Sequence, residues 1–122
     1  MTNKNSGKLA EFIARLYFRL KGYKIIAKNH KVELKMPAGE VDFIALKRKT
    51  LVFVEVKKRQ SIENAYYAIK PNQQKRIINA AKLFIKRHRI YQNFNVRFDA
   101  FVVCFPFKIV HIENAWQENI YS

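Results

Sequence analysis

The chain has one cysteine, Cys104, among 122 residues. A lone cysteine closes no internal disulfide. Cys104 sits in an apolar run and reads as a small buried thiol, which fits a reducing cytoplasm. Glycine and proline are scarce, with three of each. No glycine-rich loop is present to cradle a nucleotide phosphate. No apolar run approaches the ~20 residues of a membrane-spanning helix. The polar opening Met1 to Lys8 lacks the apolar centre of a signal peptide. A cytoplasmic protein with no membrane partner is therefore expected. His30, His88 and His111 form no familiar metal-ligand spacing. Acidic residues are few: 9 Asp and Glu against 24 Lys and Arg, a formal net charge of +15. So much positive charge on a small domain implies a polyanionic partner, most often nucleic acid and less often an anionic membrane surface. A basic protein with no nucleic-acid role is the competing reading.

Apolar residues, in contrast, make up 49% of the chain, with ten Phe and six Tyr. That is enough for one core, and residues 1–122 read as a single domain. The stretch Gly39 to Lys57, GEVDFIALKRKTLVFVEVK, reads as two strands joined by a tight basic turn. Side chains alternate along a strand, so Glu40, Asp42, Ile44 and Leu46 share one face, and Leu51, Phe53, Glu55 and Lys57 share another. A two-residue loop at Arg48-Lys49 pairs Lys47 with Thr50, and a four-residue loop pairs Leu46 with Leu51. Both give one register, with Asp42 opposite Glu55 and Glu40 opposite Lys57. Opposed residues on one face stand about 5 Å apart. Their neighbours Val41, Phe43, Val52, Phe53, Val54 and Val56 are apolar, as in a strand covered on both sides. Ionised carboxylates there are costly unless paired or metal-bound. Mg²⁺ suits one or two carboxylates plus waters and phosphate oxygens. A strand-end salt bridge, with Asp42 and Glu55 sharing Lys57, satisfies the same spacing.

Taken in order, the chain opens on a helix from an N-cap at Ser6 to about Lys21, stopped by Gly22. Leu9, Phe12, Ile13, Leu16 and Leu20 form its apolar stripe. Glu11 lies on the other side with Ala14 and Phe18. It reads as a solvated first-turn acid, although a helix covered on two faces would turn it inward. Tyr23 to Ala27 is a short strand, and Lys28 to Ala38 is mixed and basic. After the hairpin, Ser61 to Lys70 has no clear period and reads as a loop. Pro71 opens a second helix running to about Arg89, with Ile77, Ile78, Ala81, Phe84 and Ile85 inward. Its outward residues Lys75, Arg76, Lys82, Lys86 and Arg87 form either a solvated face or one that tracks phosphates. Asn95 to Phe105 is a long strand carrying an Arg97–Asp99 ion pair. Lys108 to Glu113 is a last strand joined through Pro106-Phe107, and Trp116 follows as a core lid.

The order helix, three strands, helix, strand, with Asp42 on one strand and Glu55-Val56-Lys57 on the next, resembles the PD-(D/E)XK nuclease superfamily. More closely it resembles the YraN-like family of small bacterial proteins, predicted endonucleases similar to Holliday-junction resolvases. The matching pieces are Glu11 with Ala14, Gly22-Tyr23, GEVDFIA, LVFVEVK, Gln74-Lys75-Arg76, Arg97-Phe98-Asp99 and the closing HIENA. Ala10 stands where the family has glycine, and SIENAYYAIK lacks the glycine usual in that loop. The resemblance implies an α/β fold with a restriction-endonuclease-like α-β-β-β-α-β core, a mixed central sheet flanked by helices. It implies a Mg²⁺- or Mn²⁺-dependent endonuclease that is structure-selective on branched or junction-like DNA. Asp42 and Glu55, with the Val56 carbonyl, would hold metal. Lys57 would orient or activate water, Glu40 would ligate or position metal, and Glu11 would add a further carboxylate. Lys47, Arg48, Lys49, Lys58, Arg59, Gln74, Lys75, Arg76, Lys82 and Lys86 would contact nucleic acid. A homodimer carries over from the resolvases. The alternatives are a nucleic-acid-binding module without turnover, and a non-catalytic partner of an acidic protein or anionic membrane.

Overall fold

The computed structural model describes residues 3–28, 41–105 and 108–118. Its elements are α1 (Asn3–Leu20), β1 (Lys24–Lys28), β2 (Phe43–Lys47) and β3 (Thr50–Lys58), then a 3-10 helix (Ile62–Tyr67) and α2 (Pro71–Arg87). A short 3-10 turn (Arg89–Tyr91), β4 (Asn95–Cys104) and β5 (Lys108–Trp116) complete them. The five strands form one sheet in the order β1-β2-β3-β4-β5. β3 and β4 are parallel, and the other pairs are antiparallel. A parallel pair needs a crossover, and α2 supplies it. The result is the α/β fold that the order of elements predicts. Residues 29–40, with His30 and Glu40, and the turn at Pro106-Phe107 lie outside the described residues. None of the described helices is long and apolar enough to cross a membrane.

Alternation along the central strands divides the core in two. Ile44, Leu51, Phe53, Phe98, Ala100 and Val102 point to the α2 side and meet Ile77, Ala81 and Phe84. Phe43, Ala45, Val52, Val54, Phe101 and Val103 point to the α1 side and meet Ala10, Ala14 and Phe18. β3 is apolar on both faces for this reason. Trp116 stacks on Phe98 with ring centroids 5.6 Å apart, closing the α2 side as the expected lid.

The helix α1 departs from the expected orientation. The sheet takes its Ala10–Ala14–Phe18 side, while Phe12 is 52%, Leu16 44% and Leu20 80% exposed. Small residues let a helix approach a sheet closely, and Phe18 then fills the gap against Phe43 and Phe101. The helix also starts at Asn3, upstream of Ser6, so Ser6 is not its N-cap. Its stop is as expected. Gly22 takes a φ of 95°. Its N–H donates to Arg19 O at 3.0 Å, and Tyr23 N–H donates to Phe18 O at 2.9 Å, the paired bonds of a Schellman end. The stretch Ser61 to Lys70 is not an open loop, because most of it forms the 3-10 helix.

On the α1 side, Asp99 is completely buried. Arg97 Nε and Nη2 each donate to its carboxylate at 2.8 Å, and His111 Nε2 lies 2.7 Å from Oδ2. β5 slips register opposite Asp99. There Asn114 takes a φ of 54°, which aims its N–H at Asp99 Oδ1, 3.0 Å away. Arg97 also donates to the Tyr23 hydroxyl at 2.9 Å. Burial alone would raise the Asp99 pKa, but the bonds from His111, Arg97 and Asn114 outweigh it and hold the carboxyl below its usual range. Its stabilising contribution is therefore present at neutral pH and is lost as pH falls through that lowered value. Removing one partner of a buried pair strands the other. Asp99→Asn should cost about 3–5 kcal/mol, read as a lower urea midpoint at unchanged slope.

Candidate active site

The hairpin register decides what meets at the open end of β2 and β3. Lys47 pairs with Thr50 and Phe43 with Val54, across the two-residue loop Arg48-Lys49. Continued by one step, this register sets Asp42 against Glu55. β3 has 9 residues and β2 has 5, so β3 outruns its partner. Past the end of β2 the Val56 N–H has no ladder carbonyl to meet. Asp42 Oδ2 accepts it instead, at 2.7 Å. A residue's N–H and C=O point to the same neighbour in an antiparallel ladder. The Val56 carbonyl is thus directed to the side where Asp42 stands.

Glu55 is buried beside Asp42, on the α2 side of the sheet. Burial is the main force on its carboxyl, followed by the Asp42 charge and a hydrogen bond with Asp42. Lys57 opposes them and is outweighed. Together they push the Glu55 pKa from 4.5 up to about 9. The two carboxyls therefore share a proton at neutral pH. Lys57 Nζ lies 3.5 Å from Glu55 Oε2. Gln73, in the first turn of α2, donates its side-chain N–H to the same oxygen. Two apposed carboxyls that must hold a proton to coexist can hold a divalent cation in its place. Such a donor set fits Mg²⁺ or Mn²⁺, which keep several waters. Among the described residues no third Asp, Glu, His or Cys joins the cluster.

The other sequence candidates are spread more widely. Glu11 stands half-buried on α1, the helix on the opposite face of the sheet from Glu55. Lys47, Arg48 and Lys49 lie at the closed end of the hairpin, about 17 Å along β3 from Glu55 at ~3.4 Å per residue. Lys47 Nζ donates to Lys21 O at 2.9 Å and sits over the Tyr23 ring, bracing the end of α1. Lys58 is half-buried on the α1 face of β3. Arg59 is tied to the carbonyls of Lys58 and Ala68, at 2.7 and 3.2 Å. Gln74 donates to Ile69 O at 2.9 Å, so it fastens the entry to α2, while its neighbour Gln73 reaches Glu55. Lys75, Arg76, Lys82 and Lys86 are exposed on α2. Gln73 is the residue the sequence reading passes over. Its signal is spacing: 73, 77, 80, 81 and 84 lie on one helical face, and all but Gln73 are buried apolar residues.

Residues 10–103 match the model of "Uncharacterised protein family UPF0102". The chain belongs to UPF0102. A UPF0102 protein of Bradyrhizobium diazoefficiens is 42% identical over 98 residues, 80% of this chain and 71% of that one. A UPF0102 protein of Ehrlichia ruminantium is 42% identical over 112 residues, 92% and 84% of the two chains. One from Paramagnetospirillum magneticum is 41% identical over 112 residues, 91% and 86%. The UPF0102 match takes in Asp42, Glu55, Lys57 and Gln73 and runs into β4.

The raised Glu55 pKa has a stability consequence for this UPF0102 chain. Below pH 4.5 the carboxyl is protonated in both folded and unfolded states, and no penalty arises. Between pH 4.5 and about 9 the folded state holds a proton that the unfolded state releases, so stability falls as pH rises. Metal-free protein should show this slope in urea midpoints measured across the window. Glu55→Gln should flatten it.

Proposed function

We propose that this UPF0102 protein is a metal-dependent endonuclease that hydrolyses phosphodiester bonds, with structure-selective action on branched or junction-like DNA. The observation carrying the reading is the meeting of Asp42, Glu55 and Lys57 on one face at the open end of the β2–β3 hairpin. Two carboxyls forced to share a proton, with a lysine beside them, form a poor salt bridge. They form a good seat for a divalent cation and a phosphate.

Asp42 and Glu55, with the Val56 carbonyl, are the groups that would hold Mg²⁺ or Mn²⁺. When bound, the metal supplies Lewis acidity toward a phosphoryl oxygen and a water of lowered pKa. Gln73 holds the Glu55 carboxyl in one orientation, and the Val56 N–H holds that of Asp42. Neither group then needs to reorganise when charge builds on the phosphate. Lys57 brings a cation to the same place, positioned to orient water or to meet that charge. Contacts from Lys75, Arg76, Lys82 and Lys86 to backbone phosphates would position the strand without reading its sequence.

The test is cleavage of four-way junctions, flaps, duplex and single strands with Mg²⁺ or Mn²⁺, run beside Asp42→Asn. Wild type should cut and Asp42→Asn should lose ~10²-fold or more. Equal cutting by both proteins, or none by either across all substrates and both metals, overturns the proposal. Binding without cutting would leave a nucleic-acid-binding module on this fold. In either case log affinity should fall with log salt at a slope of ~ −0.9 per neutralised duplex phosphate. A flat salt titration would remove the basic surface as the footprint.

A further inference from the structure

The exposed aromatic rings among the described residues are Phe12 on α1 and the adjacent pair Tyr66 and Tyr67. Tyr66 is 72% and Tyr67 84% exposed. The cause is local. The 3-10 helix that carries them turns once every three residues, so residues three apart eclipse each other. Ala65 and Ala68 take the inward row and pack in the α2-side core with Ile69. Tyr66 and Tyr67 are left facing out. Neither makes a ring contact or a side-chain hydrogen bond among the described residues. The described core makes little use of these two large rings.

The 3-10 helix that carries them packs against β5 and β4, and the residues just after it are tied to the elements that frame the carboxyl pair. Ala68, next to Tyr67, accepts a hydrogen bond from Arg59, which follows Lys57 and Lys58 at the end of β3. Ile69 accepts one from Gln74, whose neighbour Gln73 holds Glu55. The tyrosines thus sit on the short bridge between the strand that supplies Glu55 and Lys57 and the helix that supplies Gln73. Exposed Lys70, Lys75 and Arg76 follow them, and Glu63 precedes them. Cations beside outward rings form the pairing by which proteins hold nucleic-acid strands with unstacked bases. A continuous duplex keeps its base faces stacked inside and offers only phosphates here. Rings gain contact only where a base is unpaired.

We propose that Tyr66 and Tyr67 form a stacking platform for unpaired bases, so that the Asp42–Glu55 site receives a strand with unpaired nucleotides, as at a flap, fork or branch, in preference to continuous duplex. The inference rests on the nuclease reading for the strand's destination at the Asp42–Glu55 site, while the platform itself needs only nucleic acid as the polyanion. Stacking is shared by DNA and RNA, and the two sugars are separate arms of the test.

The test is binding in EDTA, read by anisotropy, of a labelled single strand, a forked duplex and a blunt duplex, in deoxyribose and ribose forms. Tyr66→Ala/Tyr67→Ala should lose at least about fivefold in affinity for the single strand and the fork, with blunt-duplex binding unchanged. Tyr66→Phe/Tyr67→Phe should keep wild-type affinity, because the ring is retained. A fluorescent adenine analogue in the unpaired arm should be quenched by wild type and by the Phe variant, but not by the Ala variant. Equal loss on single strand and duplex, no loss on either, or no binding by wild type overturns the platform. Because metal is absent, these readings do not depend on turnover. A protein that fails to cut yet shows the tyrosine dependence removes the nuclease reading alone.

Discussion

The register of the β2–β3 hairpin is the constraint on which the site depends. Its two-residue loop sets Asp42 against Glu55 at the far end of the ladder. A slip of one residue would send one carboxyl to the α1 side, where Val52, Val54 and Phe43 pack. The apolar residues of both strands hold the register, since each must find its own side of the sheet. The unequal strand lengths then free the Val56 N–H, and Asp42 turns to take it. Core packing and site geometry are thus set by one pairing.

Two buried carboxyls in this small domain show opposite solutions to the same electrostatic problem. Asp99 is surrounded by donors, two from Arg97, one from the Asn114 backbone and His111 besides, and stays ionised. Glu55 faces another carboxyl, with a lysine at 3.5 Å and a neutral amide for support among the described residues, and keeps its proton. The first arrangement is complete and ties α1's end, β4 and β5 together through Tyr23, Arg97 and His111. The second leaves a carboxyl that holds its proton, and the proposed metal site rests on that arrangement. Under the proposed function, that contrast separates a carboxylate serving the fold from one suited to chemistry.

Much of this was legible in the residues, for identifiable reasons. Period-two alternation and a basic turn of two or four residues give the observed hairpin register, which a loop of three or five would shift, and Gly22 followed by Tyr23 marks a helix stop. The orientation of α1 was not legible in the same way. Counting large apolar residues favours the Phe12–Leu16–Leu20 side, but close approach to a sheet favours Ala10 and Ala14, and the shorter side chains prevailed. Gln73 continues the buried face of α2, yet a polar residue on an apolar stripe draws attention only once its partner is known. The tyrosines sit in a 3-10 helix, whose three-residue repeat over six residues leaves no pattern distinct from a loop.

The strand order β1-β2-β3-β4-β5 follows the chain itself. Each described strand lies beside the described strand that precedes it in the chain, and the step from β3 to β4 makes its detour over α2. Such a sheet can grow from one edge to the other as the polypeptide emerges during synthesis, without waiting for its last residues to close an early gap. The hairpin bearing Asp42 and Glu55 is complete well before β4 is made, while the inner flank of β3 still lacks its neighbour. Until that neighbour arrives, the nascent molecule carries an open row of amide groups, the usual starting point for mispairing with another chain.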